Sequence, residues 1–224
     1  MNKPLLIKPT PWDTKAFGMP TWELLEHSTA ALQQAVKTKG HHTIKIDPLE
    51  DKRLLHEHGF YYCDTLIEPY CNAPRLRSEH HSDATISKDV QARQVLEICH
   101  GAFSYGRFHR DFNLPKAAAD YRYDKWLEQL LESKNVYGLY WQGVLAGFIG
   151  YRENTLVLHA LSERYRGNNL SKYWWSAVCR KLLLNRYDEV KSSISVTNIA
   201  VFKLYASLGF SFKNPKDIYH CLVR

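Results

Sequence analysis

The chain has 224 residues, of which 45% are hydrophobic, 13% aromatic and 24% charged; 30 Lys and Arg stand against 23 Asp and Glu, a net charge of +7. This composition buries a core and excludes disordered, collagen-like and coiled-coil chains. At roughly 150 residues per domain the length allows one large domain or two small ones. The basic excess favours anionic partners: nucleic acid, phospholipid or a phosphate-bearing small molecule.

The first residues, Met-Asn-Lys-Pro-Leu-Leu-Ile-Lys, hold too short an apolar run for a signal-peptide core. The longest uncharged run, Asn135 to Tyr151, has 17 residues broken by Gln142-Gly143 and three further glycines, too few to span a bilayer. Five dispersed cysteines (Cys63, Cys71, Cys99, Cys179, Cys221) fit neither a disulfide framework nor paired zinc ligands. The expectation is a cytoplasmic protein with free, buried thiols.

In chain order, a small α/β unit comes first: a helix near 30–38, a strand at 43–46, a helix near 50–58 stopped by Gly59, and a strand around 60–67. It holds seven of the eleven histidines, among them His41-His42, His56, His58 and His80-His81. Their spacings fit no zinc pattern, so solvated loop and helix histidines are expected and no metal site is assigned. The polar stretch 72–83 lacks apolar periodicity and reads as a connection. The domain reading is a subdomain at 1–75, a linker at 76–83 and a larger domain at 84–224. Residues 1–83 hold 10 basic and 11 acidic residues, and residues 84–224 hold 20 and 12. The whole positive excess lies in the second part.

That part opens with a helix over 90–102 behind the cap candidates Ser87 and Asp89, then a helix over 121–133 carrying Trp126, Leu127, Leu130 and Leu131. The period then changes to an antiparallel meander at 136–141, 144–153 and 155–161. A basic turn, Arg164-Tyr-Arg-Gly-Asn-Asn-Leu170, leads into a helix over 170–186. A strand at 190–196, a helix at 199–208 capped by Asn198 and ended by Gly209, and a strand at 218–223 complete the chain.

Two stretches carry chemistry. A strand feeding a glycine-containing turn at a helix start presents free amides and the positive end of the helix dipole, which suits a phosphate. Arg166, Gly167, Asn168, Asn169, Leu170, Ser171 and Lys172 are the candidates; taken alone, they also fit a plain strand-to-helix loop with solvated arginines. In the stretch Asn198-Ile-Ala-Val-Phe-Lys-Leu-Tyr-Ala-Ser-Leu-Gly-Phe210, Val201, Leu204, Tyr205 and Leu208 share one helical face, so Tyr205 points to the core. A buried tyrosine needs a partner for its hydroxyl, and alone it reads equally as a structural residue.

Together, the Tyr-Arg-Gly turn after a strand and the Asn-x6-Tyr-x3-Gly-Phe pattern after the next one resemble the GNAT superfamily of acyl-CoA-dependent N-acetyltransferases over residues 84–224. The resemblance implies an α/β (α+β) GNAT fold, a mixed and mostly antiparallel sheet flanked by helices, with the smaller N-terminal α/β subdomain as an addition. It implies acetyl-CoA as co-substrate and no metal. Coenzyme A pyrophosphate would lie at Arg166–Lys172, the pantetheine arm along the end of the strand near Leu161, with Asn198 lining the channel and Tyr205 as general acid beside the sulfur. The family's Gln/Arg-x-x-Gly-x-Gly/Ala pattern falls on Arg166-Gly-Asn-Asn-Leu-Ser171, with Asn169 and Ser171 in place of its small residues. Asn tolerates left-handed backbone, so close approach of a phosphate stays open.

Thr14-Lys-Ala-Phe-Gly18, Leu54-Leu-His-Glu-His-Gly-Phe60 and Ala102-Phe-Ser-Tyr-Gly-Arg-Phe-His109, followed by Asp120-Tyr121 and Trp126, are similar to the dTDP-fucosamine acetyltransferases within that superfamily. This implies a primary amine of a nucleotide-linked amino sugar as acceptor. Arg107, Phe108, His109 and Asp111, in the connection between two helices, are the substrate-binding candidates, an aromatic beside cations; a solvated loop is the alternative. His159 is the candidate base, with Glu163 second, for an amine that must lose its proton before it attacks. A homodimer is allowed, and no membrane or nucleic-acid partner is expected. Two other readings stay open: a GNAT fold that binds a partner without catalysis, and a basic nucleic-acid module, against which the cations are spread over several elements with no helix-turn-helix pattern.

Overall fold

The computed structural model describes residues 5–185 and 187–224. Met1–Pro4 and Arg186, where the helix expected over 170–186 ended, lie outside them. In order the elements are β1 (Ile7–Pro9), α1 (Pro11–Phe17), β2 (Thr21–Leu24), α2 (Thr29–Val36), β3 (Gly40–Ile46), α3 (Arg53–Glu57), β4 (Tyr61–Asn72), β5 (Ala84–Ser87), α4 (Ala92–Cys99), α5 (Arg107–Arg110), α6 (Lys116–Glu132), β6 (Val136–Trp141), β7 (Val144–Arg152), β8 (Thr155–Leu161), α7 (Ser171–Leu184), β9 (Glu189–Ser192), β10 (Ile194–Ser195), α8 (Ile199–Ser207) and β11 (Ser211–Val223). Sheet strands flanked by helices make this a mixed α/β protein with mostly antiparallel pairing. Among the described residues no helix is long and apolar enough to cross a membrane.

The contacts divide the chain into two units. The first takes residues up to Leu66 together with Ser104–Arg122 and Pro215–Arg224; the second takes Ile67–Phe103 and Tyr123–Asn214. The polar stretch 76–83 lies within the second.

In the first unit β1 runs antiparallel to β2, β2 parallel to β3, and β3 antiparallel to the end of β11, from Ile46 against Asp217 to Gly40 against Val223. Its core is Ile7, Leu24, Ala31, Leu32, Ala35, Ile44, Ile46, Leu55, Phe60, Tyr219 and Cys221. Ser28 caps α2 by accepting the Ala31 amide at 3.2 Å, so the apolar face of α2 is held over the sheet by a local signal. Sequence periodicity finds α2, β3, α3 and β4 but misses β1, α1 and β2, whose three to seven residues are too short to show a period.

In the second unit β5, β6, β7 and β8 form an antiparallel meander whose turns fall at Gln142-Gly143 and Glu153-Asn154, as expected. Beyond β8 comes β9, parallel to it, and β4 pairs with the other side of β9. The core on one side of the meander is filled by α7, with Trp174, Trp175, Val178, Cys179 and Leu182 buried, and by Tyr205, Leu208 and Phe210. Helices α4 and α6 cover other core residues with Val95, Cys99, Leu127 and Leu130. Full burial of each such large side chain contributes roughly 1.5–3 kcal/mol. The buried Trp174 indole donates to the Tyr140 carbonyl at 2.9 Å, which removes the cost of its polar atom.

Several expectations are corrected. Ser87 and Asp89 do not cap a helix: Ser87 ends β5 and accepts the Asp89 amide at 3.0 Å, and α4 starts at Ala92 behind Gln91. Pairing with β6 captures the residues before the helix. The strand expected over 190–196 is two strands, β9 and β10, and β10 pairs with β4. His41 and His42 are not solvated. They lie in β3, 2% and 0% exposed, and His220 in β11 is also buried.

Candidate functional site

Strand β8 positions the site. It pairs with β7 along its whole length, but with β9 only at Thr155–Lys191 and Leu156–Ser192. Between Leu156 and Leu158 its register against β7 shifts by one residue, a bulge that bends the strand and ends pairing on one side. Ser192 Oγ closes the last position by donating to the Leu156 carbonyl at 2.8 Å. Beyond it the two strands part.

The direction of the free backbone groups follows from alternation. The Ser162 amide donates to Ala146 on β7 at 2.9 Å, so the amides of Leu161 and His159 face away from β7. The Leu161 carbonyl does face that way, since it accepts from Arg166 Nε at 2.8 Å. The opening therefore offers backbone N–H groups to an extended ligand that takes the place of a neighbouring strand.

After a short turn at Glu163–Tyr165, the chain passes Gly167 at φ 76° and Asn169 at φ 56° before α7 begins. A Cβ on Gly167 would meet open space, so its backbone is accessible. Asn169 adopts left-handed geometry, which Asn tolerates better than most non-glycine residues. Among the described residues no side chain caps α7, which leaves first-turn amides for an external acceptor. Asn168 donates to the Arg164 carbonyl at 3.1 Å and fastens the loop. Lys172 reaches Glu79 at 3.4 Å. Leu170 and Ser171 are the N-cap and first residue of α7. The structure thus gathers Leu161, Arg166, Gly167, Asn168, Asn169, Leu170, Ser171 and Lys172 at one end of the second unit.

Tyr205 is fully buried, as its helical face predicts. Its hydroxyl lies 3.3 Å from His159 Nε2, so the two catalytic candidates, 46 residues apart, meet. The His159 ring stands edge-on to Trp175 at 5.0 Å, and burial pushes its imidazole down to about 4; it is neutral throughout the neutral range. Burial raises the Tyr205 phenol, opposed by the polar groups of Ser192 and Trp175. The pair therefore holds one proton on the phenol at neutral pH. Sequence reasoning missed Trp175 and Ser192, which look like a core aromatic and a strand serine. Asn198 caps α8, its Oδ1 accepting the Val201 amide at 3.3 Å.

A cleft of about 460 Å³ adjoins the same loop, lined among others by Glu97, Ile98, His100, Ser162, Glu163 and Arg166. Its volume falls in the range of about 300–1,000 Å³ usual for small-molecule sites.

The substrate-binding candidates lie in the other unit, Arg107, Phe108 and His109 in the short helix α5 and Asp111 at its C-cap. Phe108 is 3% exposed, with the Arg122 and Arg107 guanidinium groups 4.4 and 4.6 Å from its ring centre. His109 pairs with Asp120 at 2.9 Å. Asp111 is buried and accepts from His41, His220, Tyr61 and the Asn113 amide. Phe108 and Asp111 are spent on packing within the first unit.

No family model and no curated protein matches this sequence. Solved structures do. A GCN5-related N-acetyltransferase from Sphaerobacter thermophilus superposes with a TM-score of 0.69 at 12% identity, over 97% of this chain and 76% of that one. The chain has the GNAT fold. A GNAT-family acetyltransferase from Colwellia psychrerythraea matches with a TM-score of 0.57 at 12% identity, over 89% of this chain and 77% of that one. The tandem GNAT protein from the clavulanic acid biosynthesis pathway matches with a TM-score of 0.56 at 12% identity, over 92% and 76%. At such identities the GNAT likeness is one of backbone, and the chemistry rests on the site.

Proposed function

We propose that the protein is an acetyl-CoA-dependent N-acetyltransferase acting on a primary amine. The observation that carries this reading is the parting of β8 from β9 beside the uncapped start of α7, with His159 on β8 itself and Tyr205 against it. The donor set fits coenzyme A. Outward amides of β8 suit an amide-bearing arm, and the α7 amides with Arg164, Arg166 and Lys172 suit phosphates. Acetyl-CoA would supply an acyl group activated as a thioester.

The residues divide the remaining work. The outward N–H groups near Leu161 hold the carbonyl oxygen as it gains negative charge. Tyr205, protonated because it is buried, delivers its proton to the departing thiolate, and His159 holds the phenol in place. An imidazole with a pKa of about 4 is a poor acceptor for an ammonium proton. Glu163, exposed on the cleft, takes the role of base. The acceptor enters that cleft, and a nucleotide-linked amino sugar is proposed as its class on the short motif resemblances at 14–18, 54–60 and 102–109 alone.

Thiol release from acetyl-CoA, measured with amino-sugar nucleotides, polyamines and peptides, tests the reading. Turnover of one class with stabilisation by coenzyme A is the expected result. No stabilisation by coenzyme A at millimolar concentration overturns it. Binding without turnover of any acceptor would leave a GNAT fold that binds and does not catalyse.

A further inference from the structure

The first unit buries a set of groups that acyl transfer does not use. His41 on β3 and His220 on β11 lie on adjacent antiparallel strands, with His220 opposite Thr43. A residue two along from Thr43 shares its face, so the two imidazoles project to the same side, their ring centres 4.6 Å apart. Asp111, which ends α5, brings its carboxylate between them. His41 Nε2 and His220 Nδ1 both meet the same oxygen, Oδ2, at 2.8 and 2.7 Å. All three side chains are at most 2% exposed, and one donor atom from each lies within 4.8 Å of the other two.

We infer that His41, Asp111 and His220 form a binding site for one divalent transition-metal ion of the zinc class. Two imidazoles and one carboxylate are the ligands that borderline ions such as Zn²⁺ and Co²⁺ take, whereas Mg²⁺ and Ca²⁺ prefer all-oxygen sets. Ligand atoms about 2.1 Å from a tetrahedral ion stand roughly 3.4 Å apart. The two nitrogens would thus move back from Oδ2 by about half an ångström or a little more, within the reach of side-chain adjustment.

The surroundings support the set. The other carboxylate oxygen, Oδ1, accepts from the Tyr61 hydroxyl and the Asn113 amide, each at 2.8 Å, and the Asn113 side chain donates to the Tyr61 oxygen at 2.9 Å. Such outer bonds orient a ligating carboxylate. His41 also lines a small cleft with Thr10, Thr21, Thr43 and Phe108. On ligation the His220 proton moves to Nε2, a buried atom with no partner among the described residues. The shell is complete at Asp111 and incomplete at His220, so the affinity is expected to fall below that of a site whose ligands are all supported. The ligands are about 70 and 109 residues apart in sequence, so the ion ties remote segments and stabilises the folded unit.

The full-length chain, stripped with a chelator, is titrated with Co²⁺ and Zn²⁺ and followed by visible absorption, bound-metal stoichiometry and melting temperature. One equivalent of Co²⁺ with the absorption of a low-coordinate ion, displaced by Zn²⁺, and a rise in Tm are expected. His41→Gln should abolish that equivalent, while His27→Gln and His56→Gln, on histidines outside the set, should leave it unchanged. Tyr61→Phe keeps all three ligands and should weaken binding about 10- to 100-fold, which decides the matter if His41→Gln fails to fold. A folded wild-type chain that takes up no stoichiometric Co²⁺, or one whose bound Co²⁺ is indifferent to both His41→Gln and Tyr61→Phe, overturns the site. Neither result bears on acyl transfer, whose residues lie in the other unit.

Discussion

The two units bury polar groups in opposite ways. In the second, β8 leaves β9 after two paired residues, and outward amides remain available beside a neutral His159–Tyr205 pair. In the first, the Asp111 carboxylate is saturated by two imidazoles, a phenol and an amide. An open set of donors suits a ligand that comes and goes, and a closed set holds its own elements together. The difference teaches that the two units offer different chemistry: unmade backbone hydrogen bonds for an exchanging organic ligand in the second, and a closed imidazole–carboxylate set, suited to an ion that stays, in the first.

The largest test of that contrast is Asp111→Ala. It strands two buried imidazoles and the Tyr61 hydroxyl, and by analogy with broken buried ion pairs should cost about 3–5 kcal/mol in urea unfolding; a loss below about 1 kcal/mol would break the comparison. On the open side, Tyr205→Phe should lower turnover with acetyl-CoA by about 10²–10⁴-fold while costing only about 1 kcal/mol of stability. Full turnover by that variant would remove Tyr205 from the chemistry. Gly147→Ala places a methyl against the Ala160 carbonyl and the Leu161 side chain. An overpacking cost of about 1–3 kcal/mol is expected, with weakened coenzyme A binding because the end of β8 must shift.

Acid sharpens the contrast further. The His159 imidazole falls from 6.5 to about 4 on folding, so the unfolded chain binds a proton that the folded chain refuses. Its contribution is fully present above pH 6.5 and is lost as the pH drops from there toward 4. Urea midpoints at pH 7, 5.5 and 4.5 should decline, and His159→Phe should lessen that decline, with the remainder coming from His220, which burial likewise pushes down to about 4. The smallest effect is expected for Asn198→Ala, about 1 kcal/mol from loss of the α8 cap, read from the same unfolding curves.

Much of the second unit is legible in its sequence because its signals are local. The meander turns, the Asn198 cap and the inward face of Tyr205 depend on neighbours within a few residues. At Asn169 the residue type allows left-handed backbone, and the structure adopts it. The first unit is less legible: β1, α1 and β2 are too short to show a period, and His41-His42 looks the same in a solvated loop as in a buried strand. The helix caps assigned to Ser87 and Asp89 failed because β5 finds its partner in β6, some fifty residues away.

By itself, then, the sequence determined the order of most elements, the basic turn before α7 and the core-facing position of Tyr205, since each follows from spacing along the chain. Only the tertiary structure decided that β8 parts from β9, that His159 meets the Tyr205 hydroxyl, and that residues 41 and 220 converge on one carboxylate oxygen of residue 111. These depend on strand register and on packing between remote segments, which residue spacing does not encode.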